Sequence, residues 1–313
     1  MALEDAVRRL LELPRGEQPA EVERIRRAHP APSAEAWNTR FGPGSLYEAW
    51  ARTTVMEGLY HANAAWLRDL LDDRPGWRVL EVGGGDGTLW ARTLRPDDRG
   101  EIWLVDPLPE VHARVAAHLP AGVRLVPLET GIEHPDRLGP RGLPAADAVI
   151  VSLALHHVPG ADAVERDRHG LPGAGKAEVL VALRSALLPR DGEGVLNEAD
   201  VFCDLALPAG DPILVDRILD SYVRRAGLSL LHDLGRRTDA DDDLRAGWRA
   251  LLRRWCLDQV DAARAPLADR DVYELDVPRW LALLDAAGLE VTEHAFTDRY
   301  GLFHRYRFRP RTG

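Results

Sequence analysis

The chain has 313 residues, with 40 Lys or Arg against 50 Asp or Glu, a formal net charge of −10. That acidic balance argues against a general binder of nucleic acid or of anionic membrane surfaces. With 45% hydrophobic and 29% charged residues, the composition is that of a folded globular protein with room for one large α/β domain or two smaller ones.

Cys203 and Cys256 are far apart with no CxxC spacing, which excludes a disulfide framework or a cysteine-built zinc site and points to a reducing compartment. No metal is expected. The opening MALEDAVRRLLELPRG carries acids early and interrupts its apolar run with Arg8 and Arg9. It lacks the order of a secretory signal, so a cytoplasmic protein is expected. No stretch approaches the roughly 18 uninterrupted apolar residues of a membrane span.

In chain order, Leu3–Leu13 and Glu21–His29 read as short amphipathic helices before Pro30 and Pro32 interrupt regular structure. Trp37, Phe41, Tyr47, Trp50, Tyr60 and Trp66 then concentrate aromatic residues in one stretch. FGPGS reads as a turn, and Ser45 with Glu48 three residues on is a capping-box signature that opens a helix running toward Leu71. Leu59, Ala62, Trp66 and Leu70 mark its packed stripe, while Tyr47, His61 and Asn63 fall outside it. The aromatics serve as glue for an added helix, as a lid over a pocket, or as both. Residues 1–74 are expected to form this N-terminal helical appendage and lid, with Tyr47, Tyr60 and His61 as candidate substrate contacts.

Residues 75–210 change pattern. Strands are expected at Trp77–Val82, Glu101–Val105, Val123–Val126, Ala146–Ser152 and Gly194–Glu198, with helices at Thr88–Leu94, Leu108–Leu119 and Glu178–Leu188. Such alternation predicts a doubly wound α/β core, a parallel sheet covered on both faces. The Gly/Pro-rich PGADAVERDRHGLPGAGKA has the composition of a loop.

Residues 211–274 read as a helical insertion, ILVDRILDSYV and LRAGWRALLRRWCLDQV separated by DADDD, which is a solvated linker or a helix start. The block is a candidate cap, partner-binding element or homodimer interface. Residues 275–313 return to the sheet with a helix over Pro278–Ala287, Gly288 as its C-cap, and strands Leu289–Thr297 and Leu302–Phe308. Leu302, His304, Tyr306 and Phe308 share the packed face, Arg305 and Arg307 the other.

The chemistry concentrates at Val79-Leu80-Glu81-Val82-Gly83-Gly84-Gly85-Asp86-Gly87-Thr88, a strand entering a glycine turn and then a helix. Glycines leave no Cβ between main chain and ligand at the carboxyl end of a strand, where open α/β sheets bind small molecules. The dinucleotide fingerprint fails because Thr88 stands where a glycine is required, and no Gly-Lys-Ser/Thr follows for a phosphate loop. The segment satisfies ExGxGxG instead, through Glu81, Gly83, Gly85 and Gly87.

Here the sequence resembles the class I S-adenosylmethionine-dependent methyltransferases. The resemblance implies a seven-stranded Rossmann-like sheet with S-adenosylmethionine as cofactor, S-adenosylhomocysteine as product, and Glu81, Gly83, Gly84, Gly85 and Gly87 at the cofactor. It makes Asp106, which ends IWLVD, the ribose acceptor. Glu129 or Thr130 of LVPLETG falls at the adenine, on a looser match. ADAVIVSLALHHVP resembles the family's fourth strand, which puts Ser152 and Leu153 beside the cofactor, His156 at the substrate and His157 as a candidate base. LLPRDGEGVLNEADVF resembles the fifth, with Glu198 and Asp200 as further catalytic candidates.

The resemblance spans roughly residues 75–200 and the last two strands. It implies methyl transfer to an oxygen, nitrogen or carbon of a small organic acceptor of the specialised-metabolite kind. No Asn-Pro-Pro-Tyr or Asp-Pro-Pro-Tyr follows the fourth strand, in line with no nucleic-acid partner. Methylation of a protein, non-methyl chemistry and a non-catalytic scaffold stand as alternatives.

Overall fold

Runs of Val, Ile and Leu too short for helices become buried parallel strands. The computed structural model describes residues 1–30, 46–134, 142–201, 207–259, 265 and 272–311. Seven strands form one sheet: β1 (Trp77–Val82), β2 (Gly100–Val105), β3 (Val123–Leu128), β4 (Ala148–Ser152), β5 (Glu193–Ala199), β6 (Leu289–Phe296) and β7 (Phe303–Pro310). Their order is β3-β2-β1-β4-β5-β7-β6. Strands β1 to β5 are mutually parallel, and β7 runs antiparallel between β5 and β6. The order reverses between β1 and β4, so a crevice opens beyond the carboxyl ends of those two strands.

The helices described are α1 (Leu3–Glu12), α2 (Gln18–Ala28), α3 (Leu46–Ala51), α4 (Thr54–Asp72), α5 (Thr88–Thr93), α6 (Pro109–Ala117), α7 (Ala163–Arg168), α8 (Lys176–Leu187), α9 (Pro212–Ile218), α10 (Gly227–Arg236), α11 (Asp242–Arg253) and α12 (Val277–Ala286). Wider π-helical turns, Leu219–Ala226 and Arg254–Asp258, follow α9 and α11.

Chain contacts group the residues into two units, Met1–Gly58 with Val201–Arg270 and Asp298–Leu302, and Leu59–Asp200 with Asp271–Thr297 and Phe303–Gly313. The second unit holds the sheet. Leu80, Val82, Val149, Val151, Leu196, Tyr306 and Phe308 pack on one of its faces with Val179, Leu180 and Leu183 of α8 and Trp280 and Leu284 of α12. The expected alternation in the last strand holds, with Tyr306 and Phe308 in the core and Arg305 and Arg307 paired to Glu293.

The first unit is helical, with Val7, Leu10, Ile25, Leu214, Trp248 and Leu252 buried. The N-terminal helices and the 211–258 block, read from sequence as separate segments, belong to this one unit. The expected DADDD helix start is realised by Asp241, whose carboxylate accepts the Leu244 amide at the head of α11.

Two local expectations are corrected. The single helix toward Leu71 is broken into α3 and α4, because Thr53 terminates one and starts the other. Its amide and Oγ1 both donate to the Trp50 carbonyl, at 2.9 and 2.8 Å, and its own carbonyl accepts from Glu57 at 2.9 Å. Ser45, Trp37 and Phe41 lie outside the described residues. The Gly/Pro-rich segment is not wholly a loop, since Asp162 accepts the Glu165 amide at 2.8 Å and caps the short α7.

Candidate functional site

Strand β1 delivers the glycine turn to the crevice. Gly83 has φ +78°, and a Cβ there would stand 3.0 Å from that of Ala154; at Gly87, φ +80°, it would meet the His118 ring at 2.6 Å. The Gly83 amide donates to the Val105 carbonyl at 3.0 Å, and Asp86 accepts the Thr88 amide at 3.0 Å to start α5. The result is a tight turn with glycine at 83, 84, 85 and 87, which leaves the main chain open to close approach of a small molecule.

Asp106 follows the neighbouring strand β2. Its amide donates to Leu128 at 3.2 Å, its Oδ1 accepts from Leu108 at 2.9 Å, and its carbonyl meets His112 Nε2 at 2.8 Å. Burial raises its carboxyl above the ordinary aspartate value, against the Leu108 and Gly84 amides and His112. Glu129 follows β3 with an exposed side chain, whereas Thr130 is buried, with its Oγ1 3.4 Å from the Gly131 carbonyl.

Glu81 is the penultimate residue of β1, just before the glycine turn. It is buried, and its Oε2 accepts from Trp90 Nε1 at 2.6 Å. Burial, opposed by that bond, pushes its carboxyl up to about 8. Its role is to fix α5 beneath the glycine turn.

At the end of β4, Ser152 Oγ accepts from Asn63 Nδ2 at 3.2 Å and from Asn197 Nδ2 at 3.0 Å. Both asparagines are fully buried and neither Oδ1 has a partner. Leu153 adopts φ +53°, a sparsely populated conformation for a leucine, and its amide is tied to the Asn197 carbonyl at 2.9 Å.

A 3₁₀ turn, Leu155–His157, then presents the histidine pair. Glu198 on β5 accepts the Leu155 amide at 2.9 Å through Oε1 and meets His156 Nδ1 at 2.8 Å through Oε2. Burial alone would push the His156 imidazole down, but Glu198 overcomes it and holds the group above its ordinary value. Glu198 thus meets the ring of His156. The His157 side chain is exposed, with its ring 4.3 Å from that of His156. Glu274 is buried nearby, and burial raises its carboxyl to about 7 despite the opposing charge of His156.

The other expected residues disperse. Asp200 accepts the Val277 amide at 3.1 Å and lies 3.9 Å from His304 Nε2, which makes it an anchor for α12. Tyr60 is buried with the Arg92 guanidinium 5.7 Å from its ring centroid, His61 is exposed on α4, and Tyr47 sits half-buried on α3 in the helical unit. Asn63, Asn197, Arg166 and Lys176 were not singled out from sequence as site residues. The only signal was an amide outside the apolar stripe of α4 and a lone lysine in a Gly/Pro-rich segment. No cluster of three or more potential metal ligands occurs among the described residues.

No protein-family model and no curated protein matches the chain. Solved structures do. The CurJ carbon methyltransferase superposes with a TM-score of 0.52 over 99% of this chain and 68% of its own, at 15% identity. The fold is that of the class I methyltransferases. The 1,6-didemethyltoxoflavin-N1-methyltransferase of Burkholderia thailandensis matches with a TM-score of 0.45, 18% identity, and 96% and 92% coverage of this chain and its own. The mitomycin 7-O-methyltransferase MmcR matches at 0.41, 15% identity, 96% and 74%. The glycine turn, Asp106 and the Leu155–His157 turn follow the carboxyl ends of β1, β2 and β4.

Proposed function

We propose that the protein transfers a methyl group from S-adenosylmethionine to an oxygen, nitrogen or carbon of a small organic acceptor. The observation that carries this reading is the glycine turn at Gly83–Gly87, at the switch point of the sheet, with Asp106 at the end of the neighbouring strand β2. The residues fit the cofactor, since positive φ and the close approach of Ala154 and His118 keep Gly83 and Gly87 free of side chains, and Asp106 offers a carboxylate to paired hydroxyls. S-adenosylmethionine supplies an already electrophilic methyl group, so the protein's contribution is proximity, alignment and exclusion of water.

The glycine turn and Asp106 bind, and Ser152 and Leu153 border the reacting end. Where the acceptor is a hydroxyl or amine, His156 takes its proton at Nε2 while Glu198 orients the ring through Nδ1. Because Glu198 favours the protonated imidazole, turnover of such an acceptor rises as pH climbs through the His156 pKa. The net charge of −10 favours a small acceptor over nucleic acid. Among the described residues no helix is long and apolar enough to cross a membrane.

The test is calorimetric titration with S-adenosylhomocysteine, followed by mass spectrometry of acceptor panels incubated with S-adenosylmethionine. Asp106→Ala is expected to weaken binding by on the order of 1–3 kcal/mol, the cost of unmade charge-assisted hydrogen bonds. His156→Ala is expected to keep that affinity and lose turnover of hydroxyl and amine acceptors. Folded wild-type protein that ignores S-adenosylhomocysteine would overturn the reading.

A further inference from the structure

Three cationic side chains are buried among the described residues: Arg166, Lys176 and Arg253. Arg253 is neutralised by Asp258 at 2.5 Å. Lys176, 1% exposed, donates Nζ to the Val158 carbonyl and lies 6.0 Å from the Tyr273 ring centroid. Arg166 differs from both. It is 5% exposed, its Nη2 donates to the Pro172 carbonyl, and its Nε and Nη1 are buried with no hydrogen-bond partner. A guanidinium cannot shed its charge to escape such a place, so an unpaired buried arginine is a strong demand for an anion.

The surroundings connect it to the dyad. Burial depresses the Arg166 guanidinium below the usual arginine range, and the charges of Glu133, Tyr273 and Asp167 oppose it. Tyr273 is the shared neighbour of Arg166 and Lys176, and its amide donates to the His156 carbonyl at 2.6 Å. The segment carrying Arg166 turns through left-handed Gly160, Gly170 and Gly173, and it begins three residues after His157. The vacant donors and the candidate base therefore share one stretch of backbone.

We infer that Arg166 is a seat for an oxyanion carried by the acceptor, a carboxylate or a phosphate, with Lys176 and Tyr273 beside it. The inference deepens the proposed methyl transfer and rests on it for the word acceptor. The anion-binding property itself does not. An acceptor with an oxyanion at one end would be oriented by Arg166 and would present its nucleophile toward His156. A neutral analogue would leave the guanidinium unpaired and be rejected.

The experiment measures thermal stabilisation at constant ionic strength by acetate and benzoate against acetamide and benzamide, and by inorganic phosphate. S-adenosylhomocysteine is titrated separately. Saturable stabilisation by the carboxylates but not the amides is expected, and stronger stabilisation by phosphate would assign the phosphate class. Arg166→Met should abolish the preference and leave affinity for S-adenosylhomocysteine unchanged, while Arg166→Lys should keep part of it. Equal behaviour of carboxylates and amides, no stabilisation by any anion, or a preference that survives Arg166→Met overturns the inference. Should Arg166→Met fail to fold, the wild-type comparison of carboxylate with amide decides alone. Anion binding without S-adenosylhomocysteine binding would uphold the seat and remove the cofactor reading, and the reverse result would do the opposite.

Discussion

Glu81 shows how a motif residue can matter for the fold as much as for a ligand. Its carboxyl is held at about 8 by burial, so the folded protein keeps a proton that the unfolded chain releases near its ordinary value of 4.5. Stability must therefore fall as pH rises between those values and level off above the higher one. Glu274, raised to about 7, acts in the same direction. In urea unfolding between pH 5.5 and pH 8, Glu81→Gln is expected to remove a loss of on the order of 1–3 kcal/mol. An amide still accepts from Trp90, so the packing is preserved. A slope as steep in the variant as in the wild type would show that Glu81 ionises freely. The glycine turn was legible because Gly83, Gly85 and Gly87 follow a strand at the spacing of a tight turn. Arg166 and Asn63 were not, because what distinguishes them is burial without a full set of partners, which only the folded chain defines.

At the scale of elements, periodicity located every strand of the sheet and missed the break between α3 and α4. The reason is the long-range capping of α4. Its first residue, Thr54, donates its amide to Asp233 on α10 at 3.0 Å, and its hydroxyl bonds to the same carboxylate, across 179 residues of sequence. Arg237, one turn on, pairs with Glu57 at 3.2 Å, and Trp248 Nε1 holds the Ala49 carbonyl at 2.9 Å. No local pattern announces a helix start whose capping group comes from another helix. Asp233→Ala should cost about 2 kcal/mol in chemical denaturation, combining a lost cap with lost charged hydrogen bonds. A cost below about 0.5 kcal/mol would mean that Thr53 caps α4 unaided.

At the scale of the whole molecule, the division into a helical unit and a sheet unit assigns the glycine turn, Asp106, Ser152 and the His156–Glu198 dyad to the sheet unit alone. Hydrogen exchange with saturating S-adenosylhomocysteine is expected to slow first at the carboxyl ends of β1, β2 and β4. At a hundredfold excess over Kd, the ligand should add about 2.7 kcal/mol to global stability. Slowing confined to the helices of the first unit would place the ligand elsewhere. The sheet unit was readable in outline because strands alternating with helices allow few topologies. The helical unit was not, because its segments come from 1–58, 201–270 and 298–302 and only their packing shows that they belong together.

The position of β7 bears on how the chain reaches this state. It is the last strand in sequence, yet it lies between β5 and β6, with Gly194 facing Phe308 and Leu196 facing Tyr306. Until residues 303–310 have been synthesised, β5 keeps a bare hydrogen-bonding edge and β6 has no neighbour to join. Nascent chains and C-terminal truncations share that unfinished edge, an adhesive surface for other unfolded chains. The edge is covered only once the strand that completes the sheet has been made, so the growing chain carries its aggregation hazard almost to its end.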